Sequence, residues 1–303
     1  SAFFTVTAGG DKLQVSQDGT AKALAAGTAT VTVTLDGKTS APQSIDILPS
    51  LASFEAPTPG KSVTDASTAL TTHLSSIVAT IPSAATILQV AGQVGTTGAF
   101  AAQTKGYLDL ANKAAPVKTG SGIYSWTETV NGLTITVTLD ESQAQSAQWS
   151  VVLNGTLGSL TLNNVTYVAG SYKRDSLNGK AGYHETVTFN DITGSSKVLA
   201  TEDVYLFDDG TAHAGLNFQG VYVVNWDFRA DQSWYFVEYQ TTNGTQQKQA
   251  EALYNIDGTG WAKAYCSDNS LESELTFTNF GGNGTITEHA SACGGTEGNH
   301  SSW

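Results

Sequence analysis

The 303-residue chain sets 27 acidic residues against 14 basic ones, for a formal net charge of −13, and only 14% of it is charged, where globular domains carry about a quarter. An acidic field repels phosphate backbones and anionic headgroups, which argues against nucleic acid and against peripheral membrane binding. No window approaches the roughly 18 apolar residues of a membrane-spanning helix.

Hydrophobic residues make up 40% of the chain, Ser and Thr together more than a fifth, and apolar and hydroxyl positions alternate. This predicts extended sheets rather than disorder. The expected fold is mainly β: a partial sandwich over 1–49, a linker over 50–62, an Ala-rich helical segment over 63–118, and a large antiparallel meander or sandwich over 119–303.

In the first region, ATVTVTL (29–35) puts Val31, Val33 and Leu35 on one face and Thr30, Thr32 and Thr34 on the other, the period of a half-buried strand. Asp36-Gly37 then signals a hairpin, followed by Ile45 to Leu48. Asp18-Gly19 separates the shorter runs Leu13–Ser16 and Ala21–Leu24.

The run from Val15 to Ile47 resembles the later half of bacterial Ig-like domains of the group-2 type, through Asp18, Gly19, Ala23, Leu24, Gly27, Thr28, Ala29, Thr30 and Val31. The resemblance implies a non-catalytic spacer or adhesive module on a cell surface. The front strands of that pattern are missing. One expectation is therefore that a neighbouring copy supplies a strand, with Phe3, Phe4 and Val6 on the donated segment, which would build a filament. The alternative is that another part of the same chain covers the face.

Pro49, Pro57 and Pro59 mark the linker. Beyond it, Leu70, Leu74, Ile77, Val78 and Ile81 fall at helical spacings, with Asp65 or Ser67 as N-cap and Pro82 as terminator. Ile87, Leu88, Ala91 and Val94 suggest a second helix and 100–110 a third. Nearly uncharged helices of this kind are expected to lie on one face of the following sheet.

From Gly122 onward, about a dozen strands are expected, punctuated by Asn131-Gly132, Asn154-Gly155, Asn178-Gly179, Asp209-Gly210, Asn243-Gly244, Asp257-Gly258 and Asn283-Gly284. Leu133, Ile135, Val137 and Leu139 should face inward. Trp226, Asp231, Ser233, Trp234, Tyr254, Asp257, Gly258, Gly260 and Trp261 weakly resemble a β domain of uncharacterised bacterial surface lipoproteins, which implies a location and a fold but no activity.

Candidate sites are few. Tyr222, Trp226, Phe228 and Trp234 form an aromatic band. Exposed, it would offer a platform to carbohydrate or to an apolar partner; buried, it is the core beneath the helices. Glu128, Glu185, Glu238, Asp227 and Asp140-Glu141 are the candidates for a hydrolytic carboxylate pair, set against the ordinary role of acids on solvated strand faces. His73, His184 and His213 lack the G-x-S-x-G context of a serine nucleophile.

Asp208-Asp209-Gly210 and Asp257-Gly258 are hairpin turns, with calcium left open as a cofactor. Cys266 and Cys293 suit a disulfide closing a 26-residue loop; His289 and His300 nearby keep zinc as an alternative, and free thiols are a third. Ser1 follows no charged-then-apolar leader, as in a mature secreted form or a trimmed piece. The sum is an extracellular structural protein, a surface-layer, filament or adhesion subunit without catalytic activity, partnered by itself or by other surface components. The alternative is a carbohydrate- or ligand-binding surface protein.

Overall fold

A computed structural model describes residues 2–24, 27–47, 57, 59–95, 116–120, 122–143, 146–193, 197–219, 221–242, 244–291 and 293–303. Most of the expected linker, the third helix over 100–110 and Asn243 lie outside the described residues. The chain divides into two compact units: Ser1–Glu55 with Tyr107–Ser171, and Ala56–Gly106 with Tyr172–Trp303.

In the first unit, β1 (Ala2–Ala8), β4 (Gly27–Leu35), β5 (Lys38–Thr39) and β6 (Gln43–Ile47) form one antiparallel sheet, and β2 (Leu13–Val15) pairs with β3 (Ala21–Ala23). Leu13, Ala29, Val31 and Ile47 are its buried core, with Val6 and Val15 packed against them. The expected register holds at Val31 and fails toward the hairpin. Leu35 is 52% exposed while Thr32 is buried, because Leu35 ends the strand opposite Ala2 and Lys38, beyond the reach of that small core.

The N-terminal sheet also supplies its own edge strand. Gly9, in the left-handed region at φ 72, turns the chain by accepting from the Lys12 and Leu13 amides, and β1 then pairs along β4 with Phe4 opposite Val33 and Val6 opposite Val31. Within the chain, then, the segment expected to be donated fills the edge at home.

A second sheet of fifteen antiparallel strands runs in strict chain order. Its first members are β7 (Val117–Gly120), β8 (Ile123–Val130), β9 (Leu133–Asp140), β10 (Ser146–Leu157) and β11 (Leu160–Leu177). As alternation predicts, Val137 and Leu139 are buried, opposite Trp126 and Tyr124 on one side and Val151 and Trp149 on the other; Leu133 and Ile135 are half-buried. Tyr124 Oη donates to the Ile47 carbonyl at 3.3 Å, tying β8 to β6 within this unit.

In the second unit follow β12 (Lys180–Asn190), β13 (Val198–Phe207), β14 (Ala212–Phe218), β15 (Tyr222–Phe228), β16 (Trp234–Thr242), β17 (Thr245–Tyr254), β18 (Gly260–Tyr265), β19 (Leu271–Thr278), β20 (Asn283–Glu288) and β21 (His300–Ser302). Helices α1 (Lys61–Ile77) and α2 (residues 84–95) cover one face of these strands. The N-cap of α1 is Gly60 rather than Asp65 or Ser67. Asp65 instead pairs with Lys61 one turn back, and buried Ser67 donates to the Ala91 carbonyl, fastening α1 to α2.

One hairpin device recurs. In S-Q-D-G-T (16–20), F-D-D-G-T (207–211), R-A-D-Q-S (229–233), N-I-D-G-T (255–259) and C-S-D-N-S (266–270), the fourth residue has positive φ, between 64 and 85. The first residue's carbonyl accepts the fourth residue's amide, and its own amide donates to the fifth residue's carbonyl. The Asp carboxylate accepts the amide of the Ser or Thr two positions on and, in the last four, its hydroxyl. Such an Asx turn satisfies donors that a tight reversal strips from the ladder.

Two of the expected Asn-Gly turns are not turns. Asn154-Gly155 lies inside β10, where a Cβ on Gly155 would sit 2.2 Å from the Gly132 carbonyl oxygen; the glycine admits the neighbouring hairpin. Asn283-Gly284 opens β20, and the reversal falls instead at Asn279–Gly281.

Candidate functional site

The two faces of the second unit's sheet differ in chemistry, and pairing registers fix what each displays. On the helix-covered face one transverse row holds Ala212, Phe228, Trp234, Tyr254, Gly260 and Phe277, and the next holds Ala214, Trp226, Phe236, Ala252, Ala262 and Leu275. Small residues let the helices approach, and rings fill the space between them. The aromatic band singled out in sequence is therefore mostly core: Trp226 and Trp234 are each 3% exposed, Phe228 packs against them, and no exposed platform forms there. Tyr222 is half-buried, and Gln93 of α2 donates to its hydroxyl.

A third row on this face carries acids, running from Glu202 through Leu216, Val224 and Glu238 to Ser273 and Glu288. Burial pushes Glu202 up to about 7, with the Asp203 charge adding to it. Burial likewise raises Glu238 to about 7 against hydrogen bonds from Tyr222 and Gln93. Glu288 accepts from Ser83 at 2.9 Å and from Asn299 at 2.7 Å.

Two strands separate Glu202 from Glu238, so their backbones lie about 14 Å apart, outside the roughly 5–9.5 Å of a glycosidase pair. The other hydrolytic candidates are not brought together. Glu185 is buried on the covered face, Asp227 lies on the opposite face against His213 at 2.6 Å, and Asp140 caps the Ser142 amide.

The opposite, outer face carries a row that sequence reasoning missed: His184, Tyr205, His213, Asp227, Tyr235, Leu253 and Trp261, one from each of β12 to β18. Six strand spacings make it about 29 Å long. His184 stacks on Tyr205 at 4.1 Å between centroids, its Nε2 3.0 Å from Asp203. Tyr235 and Trp261 lie 6.3 Å apart, with Arg229 over the Tyr235 ring and Lys263 over that of Trp261.

The parallel row beside it holds Asp203, Asn225, Val237, Glu251, Lys263 and Glu274. Glu251 is its most enclosed acid, with a side chain 11% exposed. Tyr235 and Tyr265 each donate to one of its oxygens, and Lys248 stands 3.4 Å away and over the Tyr265 ring. Burial works against the Glu251 charge, but the two phenols and the lysine outweigh it and hold the carboxyl below the usual range. Burial and the same carboxylate push both phenols upward. The cluster fixes a charge rather than moving a proton. The alternation of Tyr235 with Trp234 and Phe236 was the available signal.

Cys266 and Cys293 are joined, with Cα atoms 5.7 Å apart. They form, with Glu272, the group of possible metal ligands found among the described residues, but the sulfurs bond each other. At the turns considered for calcium, Asp208 pairs with Arg174, Asp209 with Lys180, and Asp257 folds back on Thr259. His73 stacks against Trp303 at 5.1 Å. No helix of the described residues is long and apolar enough to cross a membrane. No protein-family model matches the chain, and no curated protein matches it either.

Proposed function

We propose that this chain is an extracellular structural protein, a subunit of a surface layer, filament or adhesive structure, which works by holding and presenting a broad sheet rather than by catalysis. The observation that carries the reading is the ionic order of that sheet. On the outer face Glu251 is held by two phenols and a lysine, and in the turn after β13 Asp208 and Asp209 are bound by Arg174 and Lys180. Acids arranged in this way stiffen a surface, and these three are committed to fixed partners rather than to proton transfer. A disulfide suits an oxidising compartment, and the Ig-like resemblance at 15–47 fits a surface setting.

Immunogold labelling of intact source cells should decorate the exterior, and electron microscopy of native material should find the protein in an ordered array or fibre. Label that appears only after permeabilisation overturns the setting. Hydrolytic activity lost in Glu238→Gln overturns the non-catalytic role.

A further inference from the structure

We propose that the outer face of β12–β18 is a binding surface for a neutral polysaccharide chain, seated along the row of rings that ends on Tyr235 and Trp261. The proposal rests on the surface-protein reading for its setting only. Sugar rings offer a polarised C–H face that packs on aromatic rings, and an equator of hydroxyls that both donate and accept. The outer face supplies both in register.

The ring row lies across the strands, about 29 Å long at the usual strand spacing, enough to follow an extended chain rather than a single sugar. Two positions along each strand runs the polar row, in which Asp203, Asn225, Lys263 and Glu274 offer acceptors and donors on either side of Val237 and of Glu251, which holds the two phenols. The side chains are held before any ligand arrives, Tyr235 and Tyr265 by Glu251 and His184 by Asp203. A preorganised face loses little rotamer freedom on binding.

Charge selects the class of ligand. Arg229 lies over the Tyr235 ring, and Lys248 and Lys263 are interleaved with Asp203, Asp227, Glu251 and Glu274 across the paired strands, so the patch has no strong field of one sign. A polyanion would also meet a net charge of −13. An apolar peptide or lipid wants uninterrupted hydrophobic area, which this face breaks with a charge at nearly every strand. The neutral, polyhydroxylated chain is the remaining match.

The test is native gel electrophoresis of the full chain through gels carrying hydroxyethylcellulose, xyloglucan, galactomannan or polygalacturonate. Retardation by at least one neutral polymer is expected, with the apparent affinity falling about tenfold or more in Trp261→Ala. Because that variant exposes neighbours, the wild-type chain is also footprinted with hydroxyl radicals in the presence of the retarding polymer. Tyr235, Trp261 and Tyr265 should be protected, and Phe3 on the N-terminal sheet should not. No retardation by any neutral polymer, retardation by polygalacturonate alone, or protection that leaves out Tyr235 and Trp261 overturns the proposal. None of these outcomes bears on where immunogold finds the protein.

Discussion

The covered and outer faces of the second unit's sheet are built by the same strands, from residues one position apart, yet they solve different problems. Toward the helices, alanines and rings interlock, and the acids are a row of glutamates under desolvation with Glu185 in the row beside it. Toward the outside, rings are held apart by acids and bases that fix one another. Burial on one side does the work that ionic pairing does on the other, so a one-residue change of register would be ruinous.

The contrast is broken most severely from within. Phe236, fully enclosed, should cost about 3–5 kcal/mol when cut to Ala, whereas its neighbour Tyr235, changed to Phe, should lose about 2 kcal/mol with its bond to the Glu251 carboxylate. Urea unfolding of the two variants compares the faces directly, and equal losses would refute the assigned sidedness. Next in size is the disulfide: Cys266→Ser with Cys293→Ser should lower stability by about 3 kcal/mol for a loop of this length, read by the same method against the oxidised wild-type chain, with the reduced wild-type chain matching the double variant.

A pH series sharpens the comparison. Glu202 and Glu238 bind protons more tightly in the folded chain, at about 7, than at their ordinary value of 4.5. Their contribution is fully present below about 4.5 and is lost as pH rises through 7. The turn aspartates Asp231, Asp257 and Asp268 are depressed, chiefly by the hydroxyls they accept, so they lose stability only as pH falls below the ordinary aspartate range. Melting temperature should therefore peak near pH 5 and fall by several degrees toward pH 8, and Glu202→Gln with Glu238→Gln should flatten that fall. A profile unchanged by the double substitution would contradict the assignment. The smallest effect is expected at the hairpins, where Asp257→Ala should cost about 1 kcal/mol and leave both faces intact by near-ultraviolet circular dichroism.

Much of this was legible in sequence. The alternation around Val137, the helical spacing of Leu70 and Leu74, the Asp-Gly turns and the pairing of Cys266 with Cys293 are local patterns or simple counts. What escaped depends on contacts between distant segments. Alternation alone puts Tyr222, Trp226 and Phe228 on one face, but only the landing of α1 and α2 decides that this face is covered and that Tyr235 and Trp261 look outward. Asn-Gly at 154–155 favours a turn locally, yet the ladder with β9 carries the strand through it. The turns at Gln232 and Asn269 were hidden because glycine was the signal sought, while the Asp followed two positions on by Ser or Thr was the constant part.

The strict chain order of the fifteen strands has a consequence for how the protein is made. Each hairpin closes on the one just completed, so contact order within the sheet is low and the ladder can lengthen as the chain emerges. The helices are the exception. Leu70 and Leu74 are synthesised well before Phe236, Leu275 and Ile286, with which they end up sharing one core, and until then both apolar surfaces stand open. The slow step and the aggregation hazard should both lie in helix docking, with Trp303, packed on that core and donating to the Gly281 carbonyl at 3.0 Å, among the last pieces to close over α1.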